Sequence, residues 1–389
     1  MSYSDWVRVY ELWQAGESAY GDGLHNLAAD YYRQATALAE SSDDVPAWYR
    51  GVMRRALADE LTSLERLREA LAVLSWMPKT TEGGFRSCCI YGSMTDHIEI
   101  AQRLPVSLAA IERAYRQAED YYRSAGEADW RGRLLYYRSE LLFERGLYSE
   151  ALSAAQEGAA HLRDDCPKLY PSTHMYGLFR ISLALGDLDG AKRYLNRWVE
   201  KYDKEDKHHP VRGAYEHVMR SRLARAEGRA GDAVEWARAG AHMIPAPDWG
   251  DARFALVCEQ ARAFILAGQH ALAGEMVARL AHARRSESAH RRHAFALLSG
   301  DYYLGRARAA SGLAQLDDEF GMRGAAHEEV EPARPAGFEA ARARRAYAAA
   351  LKVGAWIDEK LECSIRTDEV NRRLARLSHV ARVASAAGR

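Results

Sequence analysis

The stretch RLARAEGRAGDAVEWARAGAHMIP, residues 222–245, places Gly228 and Gly231 inside a run of good helix formers. Each glycine in a helix interior costs about 0.5–1 kcal/mol relative to alanine. The stretch therefore predicts a helix that ends near Gly228 and a second helix that begins soon after it. If this interruption belongs to a repeated unit, the same spacing should recur along the chain.

The same pattern recurs in four further segments of the chain. The turn glycines follow one another at intervals of 40, 42, 40 and 44 residues, at Gly146, Gly186, Gly228, Gly268 and Gly312. An alanine stands five residues after each of the first four glycines, at Ala151, Ala191, Ala233 and Ala273. A left-handed residue at a helix end costs glycine little, and a small side chain lets two helices approach closely. Each unit is thus predicted to be a helix hairpin that buries its apolar face by stacking, which gives an all-α solenoid.

The pattern resembles the tetratricopeptide repeat (TPR). The segment WQAGESAYGDGLHNLAADYYRQATALAE (13–40) matches the family signature at Gly16, Ala28, Tyr32 and Ala35, and the opening stretch matches it at Ala233, Ala237, Gly240 and Pro245. The family's Trp, Leu-Gly and Tyr of the first helix are mostly absent, and the spacing exceeds the standard unit. The resemblance covers most of the chain. It implies a right-handed superhelix of antiparallel hairpins with long repeats, as in TPR-like domains of bacterial regulators and sensors.

The remaining segments are assigned from this register as one solenoid over residues 1–389 with at most eight hairpins. The first repeat covers residues 1–45, degenerate repeats cover 46–130, and regular repeats cover 131–312. Residues 46–76 show no clear glycine break, and Pro105 marks one degenerate turn.

Two interruptions and a terminal helix complete the assignment. The segment KTTEGGFRSCCIYGSMTD (79–96) is predicted to be a loop, and the acidic segment 316–337 is predicted to be a mobile insertion. Residues 338–389 should form the last helix of the repeats and a C-terminal capping helix.

Bulk composition argues against several classes of function. The 54 basic and 54 acidic residues cancel, so no global field attracts nucleic acid or an anionic membrane. No window approaches the uninterrupted apolar run of a membrane span, and charges interrupt the N-terminal segment where a secretory signal would be apolar. Five cysteines without framework spacing favour reduced thiols. We expect a soluble cytoplasmic protein.

The TPR resemblance implies that one position of each first helix lines a ligand groove. We call the alanine five residues after each turn glycine the marker alanine. The residues eleven positions before the four marker alanines are Glu140, Arg180, Arg222 and Arg262, and the same register counted from Gly312 adds Arg306. One helical turn earlier on the same face stand Tyr136, Tyr176, Val218, Cys258 and Tyr302.

This set of arginines and tyrosines has two interpretations, and the sequence leaves both open. Because the arginine fork gives bidentate hydrogen bonds, the groove could bind an acidic peptide, a partner's C-terminal carboxylate or a phosphorylated small molecule. Alternatively, the arginines pair with Glu or Asp side chains of neighbouring helices. The leading hypothesis is a protein- or peptide-binding scaffold or sensor in a regulatory or accessory complex, with homo-oligomerisation left open.

Catalytic, metal and cofactor motifs are not found. The adjacent Cys88 and Cys89 lack the gap of a thiol oxidoreductase motif, and the histidines lack metal-ligand spacing. No catalytic residue, metal or cofactor is therefore expected. Two further hypotheses are an enzyme site near Tyr176, Arg180 and His217, and nucleic-acid binding through the arginine-rich segments 282–308 and 342–345. The enzyme hypothesis needs a carboxylate beside the arginines, for which the sequence offers Glu140 and Glu216.

Overall fold

The computed structural model describes residues 4–75, 86–104, 106–126, 128–161, 171–205, 210–241, 250–311 and 335–387. These residues form seventeen α-helices and one short 3-10 helix, Ala281–Arg285, and contain no strand. The helices are α1 Asp5–Gly21, α2 His25–Ser41, α3 Ala47–Ser63, α4 Leu67–Leu74, α5 Arg86–Arg103, α6 Leu108–Ala125, α7 Ala128–Glu144, α8 Tyr148–His161, α9 Pro171–Ala184, α10 Leu188–Glu205, α11 Pro210–Ala226, α12 Ala230–Ala241, α13 Gly250–Leu266, α14 His270–Arg279, α15 Ala289–Ala310, α16 Ala336–Leu361 and α17 Ile365–Ala387.

Successive helices form hairpins, from α1–α2 to α15–α16, and α17 follows as a single terminal helix. The predicted all-α solenoid of helix hairpins with a C-terminal helix is thereby confirmed. None of the helices in the described part of the chain combines the length and apolar composition needed to span a membrane.

The turn at Gly228 shows why the opening stretch contains a glycine. Gly228 has φ of 76°, a left-handed conformation that costs a side-chain-bearing residue about 1–2 kcal/mol. Around it, the Arg229 N–H donates to the Ala224 carbonyl at 2.8 Å and the Gly228 N–H donates to the Arg225 carbonyl at 3.1 Å. These bonds satisfy carbonyls that the end of α11 would otherwise leave unpaired.

The next helix begins from the same turn. The N–H of the marker residue Ala233 donates to the Arg229 carbonyl at 3.1 Å, and Ala233 is fully buried. The same geometry, with φ between 73° and 75°, recurs at Gly23, Gly146, Gly186 and Gly268. The predicted Gly/Ala hairpin unit is confirmed at these turns, whereas Gly312 lies outside the described residues.

One turn was missed in the sequence because it contains no glycine. Residues 46–76 were expected to form a helix without a clear break, but α3 ends at Ser63 and α4 begins at Leu67. Glu65 occupies the turn position with φ of 63°. The Arg66 N–H donates to the Leu61 carbonyl at 2.8 Å, as in the glycine turns. The hairpin therefore forms at a turn that has glutamate in place of the glycine found at the other turns.

The expected loop at 79–96 is also partly wrong. Residues 86–96 belong to α5, and the preceding residues of that segment lie outside the described chain. Later in α5, Ile98 and Ile100 are buried, and such tertiary burial stabilises a helix more than one internal glycine weakens it. Most of the insertion expected at 316–337 lies outside the described residues, while residues 336 and 337 begin α16.

Close packing between the two helices of a hairpin depends on small residues. Tyr32 of α2 is buried against Gly16 of α1, and a Cβ at Gly16 would lie 2.5 Å from the Tyr32 ring. No other residue fits there without moving the ring. Two of the residues that matched the TPR signature thus meet in the first hairpin.

The chain divides into two compact units. The first comprises Met1–Leu141, Ala154–Tyr170 and Ala246–Asp251, and the second comprises Leu142–Ser153, Pro171–Pro245 and Ala252–Arg389. The core of the first unit includes Leu57, Leu61, Leu67 and Ile100. The core of the second includes Phe264, Phe295 and Tyr302.

Within the second unit, α17 packs on α15 and α16 and also returns to the end of α7. Val370, Leu377 and Val380 of α17 share a buried cluster with Tyr347 of α16. At the first turn of α17, Arg366 forms an ion pair with Glu144 and donates to the Glu144 carbonyl at 3.1 Å. The terminal helix is therefore held by apolar burial and by a charged contact across 222 residues of sequence.

Candidate functional site

The residues proposed from sequence as groove-lining are half-buried, apart from Tyr302, and lie on first helices of successive hairpins. We define the ladder position as the residue six before the turn residue of each hairpin. Arg180, Arg222, Arg262 and Arg306 occupy it in the second unit, with Tyr176 and Tyr302 one turn earlier. Tyr136 and Glu140 belong to the first unit.

The phenol ring of Tyr176 joins two neighbouring ladder arginines. Arg222 donates from Nη1 to the Tyr176 hydroxyl at 2.9 Å. The guanidinium groups of Arg180 and Arg222 lie 5.7 Å and 5.9 Å from the ring centroid. Such cation–π contacts add roughly 0.5–1 kcal/mol each at accessible sites. The ring of Tyr215 packs edge-on at 5.1 Å and limits the movement of the phenol.

A carboxylate that the sequence did not single out lies beside these arginines. Glu259 of α13 is fully buried and accepts hydrogen bonds from Arg222 Nε at 3.2 Å and from Arg225 Nε at 2.9 Å. Arg262 Nη1 lies 3.9 Å from the same carboxylate, and Ser221 Oγ lies 3.4 Å from it. We call Arg222, Arg225 and Arg262 the arginine cluster.

The arginine cluster keeps Glu259 ionised. Burial by itself would raise the pKa of Glu259, but the positive charges of Arg225, Arg222 and Arg262 outweigh it and hold the pKa at about 2. A buried carboxylate is stable only when it is paired in this way. Glu259 compensates one of the three guanidinium charges, so the cluster retains a net charge of +2.

Part of the arginine cluster is accessible to solvent. The exposed fractions of the side chains are 18% for Arg222, 33% for Arg225 and 31% for Arg262, against 0% for Glu259. The internal carboxylate is thus covered while guanidinium surface remains available. The geometry can hold a second anion on the solvent side of Glu259 through unused N–H donors.

Each of the other ladder arginines lies beside one carboxylate, and Arg180 shares Glu144 with Arg366. Arg180 Nη2 lies 3.8 Å from Glu144, and its guanidinium stacks 4.6 Å from the Phe143 ring centroid. Arg306 donates to the Tyr302 hydroxyl at 3.1 Å and lies 3.4 Å from the buried Glu339. Pairing with neighbouring acids, one of the two interpretations of the ladder, therefore occurs at all four ladder arginines of the second unit. In the arginine cluster, three guanidinium groups share the single carboxylate of Glu259.

Several residues of the sequence hypotheses lie elsewhere. Val218 and Cys258, which occupy the tyrosine position of their repeats, are buried rather than groove-lining, and desolvation raises the pKa of the Cys258 thiol. Glu216, a proposed catalytic carboxylate, pairs with Arg220 on its own helix at 2.6 Å. His217 bonds to the Gly213 carbonyl at 2.8 Å.

The repeat register contains a signal for the pair of Glu259 and Arg225, which was not predicted from the sequence. Nine residues before the turn, where Glu259 stands, other hairpins have Tyr137, Gly177, Met219 and Tyr303. Three residues before the turn, where Arg225 stands, they have Phe143, Leu183 and Ile265. Charges of opposite sign at two otherwise uncharged positions of adjacent repeats indicate a buried ion pair.

Comparison with known proteins adds little to these observations. No family model matches the chain, and no curated protein sequence matches it. Among solved structures, the chain is similar to the TPR domain of P58(IPK), with 11% sequence identity, a TM-score of 0.23, and 95% of this chain and 99% of that chain covered. Because the TM-score is so low, the assignment of a TPR-like repeat fold rests on the helices and turns of the chain itself.

Proposed function

We propose that this chain is a protein-binding scaffold whose arginine cluster holds an acidic segment of a partner, either an acidic peptide or a C-terminal carboxylate. The observation that carries the proposal is the net charge of +2 on three partly exposed guanidinium groups arranged around one covered carboxylate. Guanidinium forks bind carboxylates bidentately, which makes arginine better suited than lysine to such recognition.

The surroundings of the cluster favour an extended carboxylate ligand that crosses the first helices of successive hairpins. Arg222 is fixed from both sides by Tyr176 and Glu259, so little side-chain entropy remains to be lost on binding. Arg180 and Arg306 occupy the same register position in hairpins on either side of the cluster. An extended acidic segment could therefore meet arginines at successive repeats.

The proposed role is binding rather than catalysis. Glu259 is the carboxylate nearest the arginines, yet it is fully buried and its pKa is held at about 2. A group that stays ionised and covered offers neither a proton nor a nucleophile to a bound molecule. The cytoplasmic location expected from the cysteine content belongs to the same proposal.

Fluorescence anisotropy with a labelled poly-glutamate peptide tests the proposal on the full chain. Arg262→Ala removes the cluster member with the weakest link to Glu259, so the fold should be kept, and binding should weaken about five- to tenfold. Arg193→Ala is the matched control, because Arg193 is an exposed arginine on the second helix α10. A poly-lysine peptide should not bind this cluster.

Two outcomes would reject the proposal: no binding of poly-glutamate, or equal effects of Arg262→Ala and Arg193→Ala on its affinity. A duplex DNA or an RNA hairpin that binds more tightly than poly-glutamate, with a steep dependence on salt, would favour the nucleic-acid hypothesis instead.

A further inference from the structure

The type of residue at the ladder position changes along the chain from acidic to basic. In the second unit this position is arginine in every hairpin, whereas in the first unit it is Glu17, Asp59, Glu99 and Glu140. Glu17 and Asp59 are counted back from the turn residues Gly23 and Glu65, and Glu99 follows from the repeat spacing of 40 and 41 residues to its neighbours. The first unit therefore has carboxyl groups at the position where the second unit has arginine, and desolvation raises the pKa of two of them, Asp59 and Glu99.

In the first hairpin, aromatic rings accompany this carboxylate. Trp6, Tyr10, Trp13 and Glu17 lie at spacings of four, three and four residues, which places them on one face of α1. The Tyr10 side chain is 42% exposed, and its ring centroid lies 5.7 Å from that of Trp13. This face of the helix thus combines ring surface with a negative charge.

The neighbouring helix α3 extends the aromatic surface. The ring of Tyr49 lies 4.4 Å from Trp6 and 5.3 Å from Trp48, and Trp6 and Trp48 meet edge-on at 6.2 Å. We call Trp6, Tyr10, Trp13, Trp48 and Tyr49 the aromatic patch. Three of its members, Trp6, Trp13 and Trp48, pack against the core only in part.

Tyr49 contributes an unused polar group to the aromatic patch. Its side chain is only 7% exposed, and among the described residues nothing forms a hydrogen bond with its hydroxyl. Desolvation, and then the nearby Tyr10 and Glu17, raise the pKa of Tyr49 to about 12. The hydroxyl therefore remains neutral at physiological pH. A buried hydroxyl without a partner costs roughly 1–3 kcal/mol, which a ligand could recover.

The arginines closest in sequence to these α3 rings are held by other partners. Arg50 donates to the carbonyls of Ser42 and Val45, and Arg54 pairs with Glu40 at 2.6 Å. Arg55 pairs with Asp96 at 2.8 Å. Within the described part of the chain Glu17 forms no ion pair, so its negative charge remains available beside the rings, and its carboxylate accepts a hydrogen bond from the Tyr32 hydroxyl at 2.6 Å.

We propose that the aromatic patch and Glu17 form a binding site for a cationic side chain, lysine or arginine, in a basic segment of a partner protein. Aromatic faces attract a cation through their quadrupole, and a nearby carboxylate adds charge attraction. The unused hydroxyl of Tyr49 accepts a hydrogen bond from the ammonium or guanidinium group. Glu17 is the first of the ladder carboxylates, so acidic positions of the same register continue beyond the patch.

A labelled poly-lysine peptide tests the site on the full chain, with poly-glutamine as the neutral probe. Tyr10→Ala should weaken poly-lysine binding about threefold or more, whereas Tyr20→Ala should not. Tyr20 is a matched control, because it is 40% exposed on the same helix but lies ten residues beyond Tyr10, where its ring packs 5.8 Å from that of His25 instead of on the aromatic patch. Glu17→Gln should also weaken binding, and Glu11→Gln, which removes one charge elsewhere on the helix, should not.

Two further measurements separate ligand binding from packing and from general charge attraction. Tyr49→Phe should weaken poly-lysine binding while leaving the melting temperature equal or higher, and a purely structural hydroxyl would leave binding unchanged. Tetramethylammonium chloride should displace poly-lysine more strongly than sodium chloride at the same ionic strength, because it binds ring faces. Equal behaviour of Tyr10→Ala and Tyr20→Ala, equal displacement by both salts, or no poly-lysine binding would overturn the proposal.

Discussion

Arg222 donates a hydrogen bond to the hydroxyl of Tyr176 at 2.9 Å across 46 residues of sequence. The two side chains come from first helices of adjacent hairpins, so the bond joins the ladder position of one repeat to the tyrosine position of the one before. With Glu259 on its other side, Arg222 is fixed by two partners in one orientation. This fixed arginine is the centre of the proposed anion site.

Replacing Glu259 by glutamine should destabilise the second unit. At neutral pH the arginine cluster would lose the carboxylate whose pKa it lowers from 4.5 to about 2, a change worth about 3 kcal/mol. Urea unfolding followed by circular dichroism measures this loss. Glu216→Gln, which removes a partly exposed pair with Arg220, should cost less than about 1 kcal/mol.

The same residue predicts a dependence of stability on pH. Because the folded-state pKa of Glu259 lies below its unfolded value, its contribution is fully present above about pH 4.5 and is lost as the pH falls through about 2. The difference in unfolding free energy between the wild-type chain and Glu259→Gln should shrink across this range. A difference that stays constant with pH would contradict the ionised pair.

The two glycines of the opening stretch should respond oppositely to alanine. Gly228 has φ of 76°, so Gly228→Ala should destabilise the fold by about 1–2 kcal/mol. Gly231 lies inside α12, and a Cβ there would meet nothing within 4 Å, so Gly231→Ala should stabilise it by about 0.5–1 kcal/mol. The melting temperatures of both variants test this prediction. If both substitutions raise the melting temperature, or both lower it, the assigned turn is wrong.

Two glutamates with positive φ give a second matched pair. Glu362 ends α16 with φ of 53° and is exposed, so Glu362→Gly should stabilise the fold by about 1 kcal/mol. Glu65→Gly relieves the same backbone strain but removes the contact with Arg103 Nη2 at 2.6 Å. Its net gain should therefore be smaller or negative. Chemical denaturation measures the unfolding free energy of both variants. A larger gain in stability for Glu65→Gly than for Glu362→Gly would contradict this prediction.

The contact between the two ends of the second unit predicts a local effect. Arg366→Met keeps much of the side-chain volume but removes the charge that, with His290 and Arg180, lowers the pKa of the otherwise desolvated Glu144. Hydrogen exchange in the first turns of α17 should quicken, while the first unit should exchange as before. Arg372→Met, at an exposed position of the same helix, is the control. Unchanged exchange in α17 would show that apolar burial alone holds it.

Much of the architecture could be predicted from the sequence because the hairpin turn demands a left-handed residue and a small helix contact. Gly228 supplies the left-handed residue and Ala233 the small helix contact, and the five-residue spacing between them recurs along the chain. The turn at Glu65 could not be found in this way, because the neighbouring repeats force a costly conformation on a non-glycine residue there. Residues 86–96 were misassigned for a related reason, since tertiary burial outweighs the local composition that suggested a loop.

The candidate site could be predicted only in part. The spacing placed Arg222 and Arg262 correctly on first helices, but their partner Glu259 comes from a position that is uncharged in the neighbouring repeats. Periodicity identifies residue types that recur from one repeat to the next. Glu259 does not recur, so a search for periodic residues does not find it. The two interpretations of the ladder also coexist in the structure, since Arg222 pairs internally and still belongs to a cluster with excess charge.

Protection of individual arginines from phenylglyoxal, followed by peptide mass spectrometry, tests the central claim most directly. Poly-glutamate should slow the modification of Arg225 and Arg262, the more exposed members of the cluster, and should leave Arg193 on α10 unaffected. Protection that is equal at Arg193 and at the cluster, or that is absent from the cluster while poly-glutamate is bound, would contradict the proposed anion site.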